Sequence, residues 1–84
     1  MSSKELTKET IETLQELEED THLPKNIKIK IQKIIEMLKE DAEVSIKVNK
    51  ALNDLDEISN DPNLESYTRA QLWNIVSLLE KISH

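Results

Sequence analysis

Displaced against itself by 41 positions, the chain brings its apolar residues into register. Ile11 aligns with Leu52, Leu14 with Leu55, Leu17 with Ile58 and Leu23 with Leu64. Farther along, Ile31 meets Leu72, Ile34 meets Ile75, Ile35 meets Val76, Met37 meets Leu78 and Leu38 meets Leu79. Polar punctuation follows the same shift: Glu16 with Glu57, Asp20 with Asp61, Lys28 with Arg69. A fixed period of this kind means one supersecondary unit repeated, neither copy able to bury its apolar face alone. The expected architecture is all-α, a helical hairpin duplicated over residues 1–41 and 42–84 and closed into one domain.

The residue types that are missing narrow the choice further. The chain has 84 residues and no cysteine, so disulfides and thiolate metal sites are excluded and a small core must suffice. Glycine is also absent, which favours helices joined by short connections built from Asn, Asp, His or Pro. Asn60 is expected to take the left-handed position at one helix end, and His22 and Asn63 share an equivalent turn position.

Four segments emerge. Ser2 and Glu5 have capping-box spacing, and Leu6, Thr10, Ile11, Leu14 and Leu17 follow at helical intervals, predicting a first helix over 3–20. Pro24 suits the first turn of a second helix, whose stripe is Ile27, Ile31, Ile34, Ile35 and Leu38. Ile27 to Ile31 alternate with lysine like a strand, but the helical spacing continues for two turns beyond, which strands Ile29 on the opposite face. The third stripe, Val44, Val48, Ala51, Leu52, Leu55 and Ile58, is out of phase with the second, so the chain breaks near Glu40–Ala42 with Asp41 as the expected N-cap. Thr68, Leu72, Ile75, Val76, Leu79 and Ile82 form the fourth stripe, from Glu65 to Ser83.

Short connections make sequential helices antiparallel neighbours. Two packings then compete: a closed up-and-down four-helix bundle and an open HEAT-like stack of two hairpins. A stack needs three or more repeats to bury its ends, so the bundle is favoured.

The stretch from Leu55 to Asn63, with Thr68–Arg69 and Trp73 to Ser77 after it, resembles the signature of the uncharacterised archaeal protein family UPF0147. Glu19–Thr21 and Leu23–Lys28 resemble the first inter-helix turn of the same family, and Glu65 departs from it where proline is expected. The resemblance implies a four-helix, up-and-down protein of archaeal origin and a cytoplasmic setting, and it brings no catalytic residues.

Tests for chemistry return little. Glu19-x-x-His22 has the spacing used in di-iron bundles, but the repeat supplies Asn60 and Asn63 at the matching positions, so no ligand set is complete. No Ser-His-Asp set, glycine-rich phosphate loop or paired buried carboxylates can be assembled, and a small aliphatic bundle rarely encloses a pocket of roughly 300 Å3. Neither enzyme activity, a cofactor nor a metal is expected, and no small-molecule substrate is identified. Asp20 is expected near Lys28 and Asp61 near Arg69, each pair pinning a turn.

The charge of −6 disfavours phosphate backbones, although Lys25, Lys28, Lys30, Lys33 and Lys39 of the second helix offer the alternative reading of an accessory that contacts RNA or DNA. No apolar run of about 18 residues is present, which excludes a membrane-spanning helix. Met1–Glu5 lacks the apolar core of a secretory signal, again placing the protein in the cytoplasm.

Only two aromatics occur, Tyr67 and Trp73, and Trp73 lies well off the apolar stripe of its helix. Trp73, with Ala70, Ser77, Tyr67, Leu78 and the off-stripe Ile29, forms the candidate contact surface. The function expected is a non-catalytic interaction module that meets itself or a protein partner through Trp73.

Overall fold

The computed structural model describes residues 2–82, which fold into four helices: α1 (Ser3–Glu18), α2 (Lys25–Lys39), α3 (Val44–Ser59) and α4 (Ser66–Ile82). No strand occurs among the described residues, and the Ile27–Ile31 alternation lies inside α2. The bounds of α3 are those of α1 moved by the repeat of 41 positions. Ser83, the expected last residue of the fourth helix, lies outside the described residues.

Local chemistry accounts for the helix starts. Ser2 caps α1, its Oγ accepting the Glu5 N–H at 3.2 Å. Pro24 stands one position before α2, where its carbonyl accepts the N–H groups of Ile27 and Lys28 at 3.1 and 3.0 Å. The start of α3 differs from expectation: Glu43, not Asp41, occupies the N-cap. The chain must cross the 8–10 Å between neighbouring helix axes, and residues 40–43, with Glu40 extended, make that crossing before helix resumes.

The helix ends hold a second correction. Asn60 is right-handed (φ −83°, ψ −4°), and no described residue has positive φ. Both hairpin turns close instead through short i→i−3 bonds. Asp20 N–H donates to Leu17 and Leu23 N–H to Asp20, at 3.1 and 3.2 Å; Asp61 N–H donates to Ile58 and Leu64 N–H to Asp61, at 3.1 and 3.3 Å. Inside each turn the aspartate Oδ1 accepts the N–H two residues on, from His22 in one and Asn63 in the other, both at 2.9 Å. The two turns therefore share the same aspartate-centred bonds.

α1 packs on α2 and α4, and α3 packs on α2 and α4, while neither diagonal pair, α1–α3 or α2–α4, comes within 8 Å between Cα atoms. A HEAT-like stack would lay α1 against α3 and α2 against α4. The molecule is a closed four-helix bundle, 33 × 20 × 19 Å. Its core draws on all four stripes, with Ile34 and its repeat mate Ile75 both at 0% exposure and Leu23 and Leu64 plugging the turn end. Thr10 is buried in place of an apolar residue, and its hydroxyl is satisfied by donating to the Leu6 carbonyl at 2.7 Å.

Candidate functional site

Among the described residues, α4 carries the two most exposed large apolar side chains, Trp73 at 74% and Tyr67 at 63%. They sit about 120° apart around the helix and open onto different grooves. Trp73 borders the α3–α4 groove, a cleft of about 420 Å3 whose floor is Leu52 and Val76 and whose rim carries Asp56, Ser59 and Glu80. Tyr67 faces α1 beside Thr13, Glu16 and Leu17, and its hydroxyl accepts a hydrogen bond from Gln71 Nε2 at 3.0 Å.

The remaining members of the candidate surface divide along the same line. Ala70 and Ser77 are exposed and lie within about 60° of Trp73, three residues before it and four after. Leu78 is half-buried against the core on the α1 side, near Leu6 and Glu9. Ile29 is 45% exposed but belongs to α2, none of whose Cα atoms lies within 8 Å of one in α4. The structure thus brings together Trp73, Ala70 and Ser77 and places Tyr67, Leu78 and Ile29 elsewhere.

Basic residues hold helix ends in a way the sequence did not reveal. Arg69 donates from Nη1 to the Ser59 carbonyl at 2.9 Å and from Nη2 to the Asp61 carbonyl at 3.0 Å. Lys47 Nζ donates to the carbonyls of Leu38 and Glu40 at 3.1 and 3.0 Å. In both cases a cation on the next helix meets the negative end of the one before. Arg69 does lie beside Asp61, through the Asp61 carbonyl at 3.0 Å, but no ion pair of Asp61 with Arg69 or of Asp20 with Lys28 forms among the described residues. The carboxylates are occupied by turn N–H groups, and Arg69 reaches main-chain oxygens instead.

His22 lies in the first turn with its Nδ1 3.3 Å from Thr21 Oγ1 and 3.9 Å from Asp20 Oδ1. Among the described residues, no three His, Asp or Glu side chains gather closely enough to hold a metal ion. Lys30 and Lys33 of α2 share a cleft with Asp54 and Glu57 of α3, so carboxylates face that part of the lysine tract. No helix among the described residues is long and apolar enough to cross a membrane.

Sequence reasoning missed a larger groove along the outer side of α1, bounded by Lys39 at the end of α2 and by Val44 and Lys47 at the start of α3, an open cleft of about 850 Å3. Ile11 and Val44 supply its apolar surface, and Lys4, Lys8, Lys39 and Lys47 line it. The available signal was the repeat itself, because Ile11 corresponds to Leu52 in the floor of the Trp73 groove.

The sequence and fold both have relatives. The model of an uncharacterised protein family, UPF0147, matches residues 1–82. A UPF0147 protein of Methanocaldococcus jannaschii is 42% identical over 80 residues, spanning 94% of this chain and 86% of that one. One from Archaeoglobus fulgidus is 37% identical over 81 residues, spanning 96% and 93%. The crystal structure of a UPF0147 protein from Thermoplasma acidophilum superposes with a TM-score of 0.91 at 32% identity, covering 96% of each chain. With a family match along nearly its whole length, the chain belongs to UPF0147, a family of uncharacterised proteins with archaeal members.

Proposed function

We propose that this protein is a non-catalytic interaction module whose contact surface is the α4 ridge of Ala70, Trp73 and Ser77. One observation carries the reading: the only tryptophan in the chain stands 74% exposed beside the apolar groove of Leu52 and Val76. Leaving an indole in water forgoes a large apolar gain. Covering about 150 Å2 of it at about 25 cal/mol per Å2 contributes roughly 4 kcal/mol before the costs of association. Small neighbours leave the ring free to act as an anchor, the role in which tryptophan is enriched at interface centres.

Asp56 lines the same groove as the ring, so a basic partner surface is complementary. The lysines of α2 make the weaker case for a nucleic-acid surface, because Lys30 and Lys33 lie opposite Asp54 and Glu57.

The test is to immobilise the wild-type protein and Trp73→Ala side by side, pass archaeal cell extract over both, and identify what each retains. The reading expects at least one partner whose capture drops about 30-fold or more, the size of a hot-spot loss of 2 kcal/mol. Equal retention by both proteins would remove Trp73 from the contact.

A further inference from the structure

The two outer grooves overlap at three repeat-related positions. Moving by 41 positions carries Ile11 to Leu52, Gln15 to Asp56 and Lys39 to Glu80, so the α1–α2 groove and the α3–α4 groove share a plan. Their charge balance differs. The second carries carboxylates, Asp56 and Glu80, and the projecting indole of Trp73. The first carries lysines and has no aromatic. At the position equivalent to Trp73 the first hairpin has Gln32, which does not line the groove and whose Nε2 donates to Glu18 Oε1 at 2.8 Å. The first groove is left open, at about 850 Å3 against 420 Å3.

We infer that the α1–α2 groove receives the Trp73 ridge of a second copy of this chain. Apolar surface from Ile11 and from Val44, which is 39% exposed, is available to the indole. Lys47 is held by the carbonyls of Leu38 and Glu40, which leaves Lys4, Lys8 and Lys39 to meet the incoming Asp56. Glu5 and Glu12 also line the groove, but lysines outnumber them. Pairing two Trp73 ridges directly would instead bring Asp56 of one copy towards the same carboxylate of the other. The inference rests on the reading of Trp73 as a contact residue.

The geometry has a consequence for assembly. In the closed bundle the α1–α2 and α3–α4 sides lie opposite each other. A contact joining one to the other is heterologous, so copies add head to tail and are not limited to a two-fold dimer.

Two half-blind variants test this by sedimentation velocity across micromolar to millimolar protein. Trp73→Ala keeps the groove and loses the ridge; Val44→Glu keeps the ridge and places a carboxylate in the groove. Val44 is the exposed first residue of α3, where an acidic side chain suits the helix dipole, so the fold is retained. The wild type is expected to grow past the dimer with concentration and to shrink in high salt. Each variant alone is expected to stay monomeric, and an equimolar mixture to form a one-to-one complex and nothing larger. A wild type that remains monomeric or stops at a dimer overturns the inference, leaving the extract experiment to judge Trp73 separately. Self-association of Val44→Glu but not of Trp73→Ala sends the ridge to another surface, so the inference fails while Trp73 stands as a contact residue. Undiminished assembly of Trp73→Ala overturns both.

Discussion

Arg69 reaches back across the second hairpin turn and holds Asp61 by its carbonyl oxygen, at 3.0 Å, while the Asp61 carboxylate binds Asn63 N–H at 2.9 Å. The arginine also takes the Ser59 carbonyl at 2.9 Å, so one planar group spans two oxygens at the end of α3.

That fork predicts an ordering among substitutions. Arg69→Ala is expected to cost about 1–2 kcal/mol, since charge-assisted bonds to exposed carbonyls are partly offset by water. Arg69→Lys recovers only part of it, because a single ammonium cannot match the fork. Urea unfolding followed by circular dichroism measures both, and equal stability of wild type and alanine variant would count against the cap.

Asp61 separates a turn bond from an ion pair. Asp61→Asn keeps an oxygen able to accept the Asn63 N–H, so its midpoint is expected to lie within about 0.5 kcal/mol of wild type. Asp61→Ala removes the acceptor and costs about 1 kcal/mol, as caps of this kind do. Asp20→Asn and Asp20→Ala should repeat the pattern at the first turn, where the same bond to His22 is 2.9 Å. An asparagine variant as damaged as the alanine would mean that the charge matters after all.

Ile34 and Ile75 are repeat mates at the centre of the core, each at 0% exposure. Truncating either to alanine is expected to cost about 2–5 kcal/mol from lost burial plus the cavity left behind. A domain of this size holds only about 4–12 kcal/mol in total, so the thermal transition of each variant should fall steeply and the double variant should be unfolded at room temperature. A loss under 1 kcal/mol would contradict the packing.

Trp73→Ala should behave in the opposite way. With the ring 74% exposed, its removal is expected to shift unfolding by no more than about 0.5 kcal/mol. Thermal melts monitored at 222 nm check this, and a larger loss would assign the ring to packing instead of contact.

Much of the fold was legible because helical burial is written locally. The stripes of Ile27 to Leu38 and of Thr68 to Ile82 name their own buried faces, and the 41-residue shift shows that the hairpin recurs. Three things were not legible. The N-cap of α3 fell at Glu43 instead of Asp41 because the distance to be crossed depends on the packed helices. Lys47 and Arg69 found main-chain acceptors, which no side-chain pattern advertises. The angles of Tyr67 and Trp73 on their helix could be computed, but which neighbour stands at each flank is a property of the assembled bundle. The separation of Ile29 from Trp73 has the same origin: α2 and α4 occupy opposite corners.

The all-negative φ angles of the described residues carry a thermodynamic consequence. A backbone that never demands the left-handed region can be written without glycine, and this one is. Glycine loosens the denatured chain more than any other residue, so its absence lowers the entropy surrendered on folding. For a short polypeptide with no cross-link, part of the native state's advantage thus lies in how few shapes the unfolded one can take.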